Sequence, residues 1–190
     1  MSFFPIIVGI LTTLTLGTGS ASAQNPVVIL DTSLGNITIE LYQDRAPITV
    51  ENFLQYVNDG FYEGTVFHRV IQGFMIQGGG MTASLSAKTV GAPIKNEADN
   101  GVSNARGTIA MARPPGIDSA TSQFFINTAD NARSLDHRDT TPAGYGYAVF
   151  GLVTAGLDVV AQIEAVETTR QGPHGDVPTE PITINAVSMQ

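Results

Sequence analysis

Two periodicities divide the chain. Residues 27–30 (Val-Val-Ile-Leu) form a β-rich run, and Ile37, Ile39 and Leu41 alternate strictly with polar neighbours after a turn at 33–36. That pairing predicts a hairpin. Pro47 then opens a helix, at a position where its missing N–H costs nothing. Val50, Phe53, Leu54 and Val57 recur at helical spacing until Gly60 ends the run. Residues 66–71 and 74–77 read as strands around Gly73, and 108–112, 123–127, 147–153 and 181–187 as further strands. Pro114-Pro115-Gly116 is a sharp loop. A second helix over 157–163 carries Leu157, Val160 and Ile163 on one stripe. Many short strands with only two helices predict an all-β-dominated fold, a closed barrel whose open ends the helices cover. Closure also removes edge strands, a protection against aggregation.

Length and composition narrow this picture. The chain of 190 residues suits one domain plus a short appendage, and neither a linker nor a fixed-period repeat divides it. With 43% hydrophobic and 14% charged residues it is neither disordered nor membranous overall. A net charge of -8 disfavours a nucleic-acid partner, whose phosphates need cations. The absence of Cys excludes disulfides, thiolate nucleophiles and zinc–thiolate sites. The appendage is N-terminal. Residues 3–16 are apolar, and Ala21-Ser22-Ala23 is a small-x-small pattern suited to signal peptidase. Residues 1–23 therefore read as a cleaved secretory signal, with the terminal amine as the positive charge, and 24–190 as the mature domain. The apolar run falls short of the ~20 residues a membrane span needs, so no stable membrane insertion is expected after cleavage.

The candidate chemistry sits on two of the expected strands. In a continuous strand over 66–71, Phe67, Arg69 and Ile71 share one face and Val66, His68 and Val70 the other. An Arg among apolar neighbours needs partners or a task. Gln123, Phe125 and Asn127 share a face of the strand 123–127, an aromatic beside amides, as expected of a small apolar pocket with a few directional hydrogen bonds. Other chemistries fit less well. His68, His137 and His174 have no ligand spacing, so no metal site is expected. Gly78-Gly79-Gly80 lacks the Lys-Ser/Thr of a phosphate loop, and nothing resembles a nucleophile elbow. Glu97 and Asp99 read as a solvated acidic loop.

Four ordered blocks carry a family resemblance: Phe67-His68-Arg69-Val70, Gly73-Phe74-Met75-Ile76-Gln77-Gly78-Gly79, Gly107-Thr108-Ile109-Ala110-Met111-Ala112 and Ser122-Gln123-Phe124-Phe125-Ile126. They resemble the active-site blocks of the cyclophilins, and Asn96-Glu97, Val149-Phe150-Gly151 and Ile182-Thr183-Ile184 extend the likeness across nearly the whole span from Val27 to Val187. The loop at 139–147 and the segment 172–177 look closer to bacterial members, which makes a periplasm the expected destination and secretion the alternative.

The resemblance implies a closed eight-stranded antiparallel β-barrel capped by two α-helices. It also implies catalysed cis–trans isomerisation of peptidyl-proline bonds, without a cofactor. By family position Arg69 is the catalytic residue. Phe74, Met75, Phe125 and Leu135 line the proline pocket, Gln77, Gln123 and the backbone near Ala112 and Arg113 hold the peptide, and Tyr147 stands at the rim where many members carry His. The implied partners are proline-containing segments of unfolded or partly folded exported proteins, and the expected state is a monomer. One departure is visible. Many eukaryotic cyclophilins have a Trp just before the Leu that matches Leu135; here that neighbour is Ser134, and the chain has no Trp. Weak cyclosporin binding is expected, since the indole wall and its N–H donor are missing. The alternative function is a non-catalytic chaperone module that holds proline segments. Arg69 speaks for the enzyme, because a pure binder has no need of a donor at the prolyl nitrogen.

Overall fold

The computed structural model describes residues 24–190; the signal expected over 1–23 lies outside the described residues. The first hairpin forms as predicted. β1 (Val27–Thr32) pairs with β2 (Gly35–Leu41) across a two-residue turn, from Val27 opposite Glu40 to Thr32 opposite Gly35. The alternating residues Ile37, Ile39 and Leu41 are all fully buried.

Helix α1 (Pro47–Asn58) starts on its proline, but Ala46 at the cap has no side chain to offer. The cap comes from far along the chain. Glu97 accepts hydrogen bonds from the N–H groups of Ile48 (3.1 Å) and Thr49 (2.8 Å) and from the Thr49 hydroxyl (2.7 Å). A carboxylate at a helix N-terminus satisfies orphan donors and complements the dipole. Glu97 is thus a helix cap, where its sequence context had suggested only a solvated loop. Gly60, at φ 63, closes the helix in the left-handed region that glycine tolerates.

The remaining elements are β3 (Thr65–Val66), β4 (Arg69–Ile71), β5 (Met75–Gly78), a 3-10 turn at Ala98–Asn100, β6 (Thr108–Met111), β7 (Phe124–Asn127), α2 (Ala132–Leu135), β8 (Val149–Ala155), α3 (Leu157–Glu164), β9 (Thr168–Gln171), β10 (His174–Pro178) and β11 (Thr183–Met189). Nine strands form one antiparallel sheet in the order β3-β11-β1-β2-β8-β6-β7-β5-β4, and β9 and β10 form a separate ribbon. The two edges of the large sheet, β3 and β4, are joined by only Phe67 and His68, so the sheet has to curl until its edges meet. Between those edges no ladder is formed. The expected closed eight-stranded barrel with two helices is therefore a curled nine-stranded sheet with a ribbon and three helices. α2 is one turn of four residues, too short to show a period, and all four residues of β9 are exposed, so no alternation marks them.

The break at 67–68 changes which side chains share a face. Phe67 N–H donates to Ile182 C=O at 3.0 Å, drawing β3 toward the β11 side, while β4 pairs with β5. Phe67 then packs in the main core with Val70, and Arg69 and Ile71 face the other way. The predicted grouping of Phe67 with Arg69 fails because the strand is two strands. A similar correction holds for α3. Val159, Val160 and Ile163 are buried, whereas Leu157, the first helical residue after Gly156, is 46% exposed.

The main core is aromatic. Phe53 meets Phe124 edge to face at 5.8 Å and Phe150 at 5.2 Å, and Tyr62 meets Phe124 at 5.6 Å. Each is fully or almost fully buried, a gain of about 1.5–3 kcal/mol per ring. The Tyr62 hydroxyl donates to Ser122 C=O at 2.9 Å, and burial pushes its pKa well above the ordinary range. Among the described residues no helix is long and apolar enough to cross a membrane.

Candidate active site

A second, smaller apolar cluster lies on the other face of the β4–β5–β7–β6 part of the sheet. Met75, Ala110, Ala112, Phe125, Leu135 and Val149 are its buried members, with Ile71, Phe74 and Tyr147 packed against them. Strand register builds it, with Met75 opposite Asn127, Gln77 opposite Phe125 and Arg69 opposite Gln77. A cavity of about 280 Å³ opens over this cluster, lined by Arg69, Phe74, Met75, Gln77, Ala112, Arg113, Phe125, Leu135 and Tyr147. The family resemblance had named all nine. Gln123, the tenth, lines an adjoining cavity of about 200 Å³ with Gln77, Ala112, Arg113, Pro114 and Thr121.

Each wall has its own support. Phe74 follows the tight turn at Gly73 (φ 72), whose N–H donates to the Glu164 carboxylate at 2.8 Å. The Phe74 carbonyl accepts from Thr128 N–H (3.0 Å) and from the Asn131 amide (2.7 Å). Leu135 ends α2, and its carbonyl accepts from Tyr147 N–H at 2.9 Å. Tyr147 meets Phe125 edge to face at 5.6 Å. The apolar wall is therefore set by backbone ties between neighbouring loops as well as by the sheet.

The polar wall is a relay of side chains. Arg69 Nη1 donates to Gln77 Oε1 at 3.4 Å, and Gln77 Nε2 donates to Gln123 Oε1 at 2.9 Å. Arginine can only donate, so this relay fixes which way both amides point. The Arg69 side chain is 44% exposed, and Arg69 Nε stands 3.9 Å from the Asp176 carboxylate of β10. Nothing in the sequence pattern pointed to Asp176, which reaches the site only because the ribbon folds back on β4. Behind the relay His68 is 6% exposed, with Nδ1 unpartnered among the described residues. Burial lowers its pKa.

The Arg113 side chain makes contacts of its own, apart from the backbone role the resemblance implies. Its guanidinium donates to the carbonyls of Gly146 (2.9 Å), Gly116 (2.9 Å) and Pro142 (2.8 Å) and lies over the Tyr147 ring. The side chain is occupied in joining two loops, and both Ala112 and Arg113 line the cavity. Among the described residues neither the Ala112 C=O nor the Arg113 N–H has a backbone partner.

An antiparallel sheet curled over an aromatic core, with a pocket beside an arginine–glutamine relay, defines a class of proteins. The family described as "Cyclophilin type peptidyl-prolyl cis-trans isomerase/CLD" matches residues 27–189, and the chain belongs to it. It is 49% identical over 187 residues to peptidyl-prolyl cis-trans isomerase A of Dickeya dadantii (strain 3937), covering 97% of this chain and 96% of that one. It is 50% identical over 163 residues to peptidyl-prolyl cis-trans isomerase B of Escherichia coli (strain K12), covering 86% of this chain and 99% of that one. The fold is also that of a Cryptosporidium parvum cyclophilin type peptidyl-prolyl cis-trans isomerase, crystallised in the presence of the dipeptide Ala-Pro. The TM-score is 0.70 at 24% identity, with 86% of this chain and 98% of that chain covered.

Proposed function

We propose that the chain is a peptidyl-prolyl cis–trans isomerase whose catalytic residue is Arg69. The observation that carries this is a half-exposed guanidinium, oriented through Gln77, at the wall of a cavity of about 280 Å³ that Phe74, Met75 and Phe125 also line. Rotation about an amide costs ~18–20 kcal/mol because resonance holds it planar. In X–Pro both isomers are close in energy, so only the barrier needs lowering. At the twisted state the nitrogen becomes pyramidal and exposes its lone pair. A fixed donor at that nitrogen then stabilises the transition state more than either planar state.

Arginine stays charged and presents several donors in a rigid fork. One charge-assisted hydrogen bond is worth ~1.5–3 kcal/mol, which at 1.36 kcal/mol per decade gives about one to two decades of rate. The rest falls to the pocket. Phe74, Met75, Phe125 and Leu135 grip the ring and desolvate the amide, with Tyr147 at the rim. Gln77, Gln123 and the backbone of Ala112 and Arg113 hold the flanking peptide. No step calls for a nucleophile, metal or cofactor.

The substrates of this reading are proline-containing segments of exported proteins, met in a periplasm after removal of residues 1–23. The family match begins at residue 27, and the Escherichia coli relative is spanned almost whole by 163 aligned residues; both support a complete domain without the leading segment. The working state is a monomer that binds cyclosporin weakly.

The test is exchange NMR of a short X–Pro peptide with residues 24–190 and with Arg69→Ala. We expect catalysis by the first and at least a ~10-fold lower kcat/KM in the second, its fold retained. Wild-type turnover in Arg69→Ala would remove the assigned role. No catalysis in either, with peptide binding intact, would favour the chaperone module.

A further inference from the structure

The β9–β10 ladder slips by one residue between the pairs His174–Gln171 and Val177–Thr169. The extra residue leaves Asp176 at φ 58, the left-handed region that non-glycine residues seldom adopt. Bulges of this kind bend a strand and re-aim a side chain, often beside active sites. Here the side chain is aimed at Arg69, with Oδ2 3.9 Å from Nε. The chain has 17 acidic and 9 basic residues, yet among the described residues no other Lys or Arg pairs with a carboxylate. The ribbon that delivers Asp176 is anchored, because Val177 and Pro178 are buried and border the same small cavity as Phe67 and His68, next to Arg69 in the chain.

We propose that Asp176 is a positioning residue for Arg69, which deepens, and rests on, the isomerase reading. The guanidinium is held from two sides, by Gln77 at Nη1 and by the Asp176 charge at Nε, and Nη2 is left without a partner among the described residues. At 3.9 Å the Asp176 contact is too long for a hydrogen bond, so it acts through charge and is open to screening by salt.

Asp176→Asn is the clean test, because Asn tolerates the left-handed backbone and only the charge is lost. Asp176→Gly, which relieves the backbone, is the control. At low ionic strength both variants should lose about 3- to 5-fold in kcat/KM, the scale of an exposed ion pair, with thermal midpoints near wild type. The loss should shrink toward nothing near 1 M salt, and Asp176→Asn should cause no further loss in Arg69→Ala. The 15N signal of Arg69 Nε should shift in Asp176→Asn, in salt-dependent fashion. An unchanged kcat/KM at low salt, an equal loss in the Arg69→Ala background, or an unmoved Nε signal overturns the inference. An inactive wild-type chain would instead overturn the isomerase reading, and the Nε signal would still decide whether Asp176 positions Arg69.

Discussion

The Arg113 guanidinium lies 4.9 Å from the centre of the Tyr147 ring while its N–H groups reach the carbonyls of Gly116, Pro142 and Gly146. One side chain thus ties the 114–116 loop, the 142–146 loop and the pocket rim. Arg113→Ala should act by loosening that rim. A cation–π contact contributes about 0.5–1 kcal/mol, and hydrogen bonds from a partly exposed cation fall short of their buried value. We expect a loss of roughly 1–2 kcal/mol in urea unfolding. KM should rise several-fold with kcat nearly unchanged, the pattern of lost uniform binding. A fall in kcat with constant KM would mean that Arg113 contacts the reacting amide.

Gly80 tests the far end of the polar relay. A Cβ at this position would lie 2.4 Å from Gln123 Cγ and 2.7 Å from Gln123 Nε2. The obstructing group is a side chain, met from its Cγ outward, so Gly80→Ala should still fold but at a modest cost as Gln123 changes rotamer. Gln123 must move, and with it the hydrogen bond to Gln77. The expected result is a raised KM for X–Pro peptides at a thermal midpoint within a few degrees of wild type. Unaltered kinetics would show that Gln123 does not hold the peptide.

These two sites show what a sequence reveals and what it hides. The pocket residues were legible through the four blocks that resemble the family, and strand register then brings Arg69, Gln77 and Phe125 into line. Contacts made through loops were not. Nothing local records that the loop of Pro142 and Gly146 returns to the Arg113 side chain. Glu97 looked solvated because the helix it caps starts nearly fifty residues earlier in the chain. Asp176 depends on a one-residue slip in a ribbon whose strands show no apolar alternation. Strand periodicity also ran through Phe67 and His68, where the chain passes from one edge of the sheet to the other; local pattern does not encode a change of pairing partner.

His68 gives the fold a pH dependence of definite sign. Burial holds its pKa below the ordinary value of 6.5, so below that pH the unfolded chain binds a proton that the folded chain does not. Stability then rises with pH through this range. The contribution is fully present above pH 6.5 and is lost as pH falls toward the folded-state pKa. Urea midpoints measured downward from pH 7.5 should show a decline that His68→Gln removes. A decline of equal slope in the variant would assign it to carboxylates.

Ser134 makes the last prediction, about inhibitor size and shape. It is exposed on the single turn of α2, next to Leu135, which is 9% exposed and belongs to the pocket wall. At this place many eukaryotic cyclophilins present an indole, whose flat face covers a ligand's apolar surface and whose N–H donates to it. The short Ser134 side chain has no flat face, and its hydroxyl does not reach as far as an indole N–H, so cyclosporin should bind weakly. On the proposed reading, small X–Pro peptides rest on Phe74, Met75 and Phe125 and should be insensitive to the same position. Ser134→Trp should therefore tighten cyclosporin about tenfold, near 1.4 kcal/mol, and leave kcat/KM for a tetrapeptide within twofold. Isothermal titration beside the peptide assay reads both. Tight binding by the wild-type chain would mean that the wall beside Leu135 is completed by other residues. An equal effect of Ser134→Trp on the tetrapeptide would mean that position 134 faces the proline ring itself.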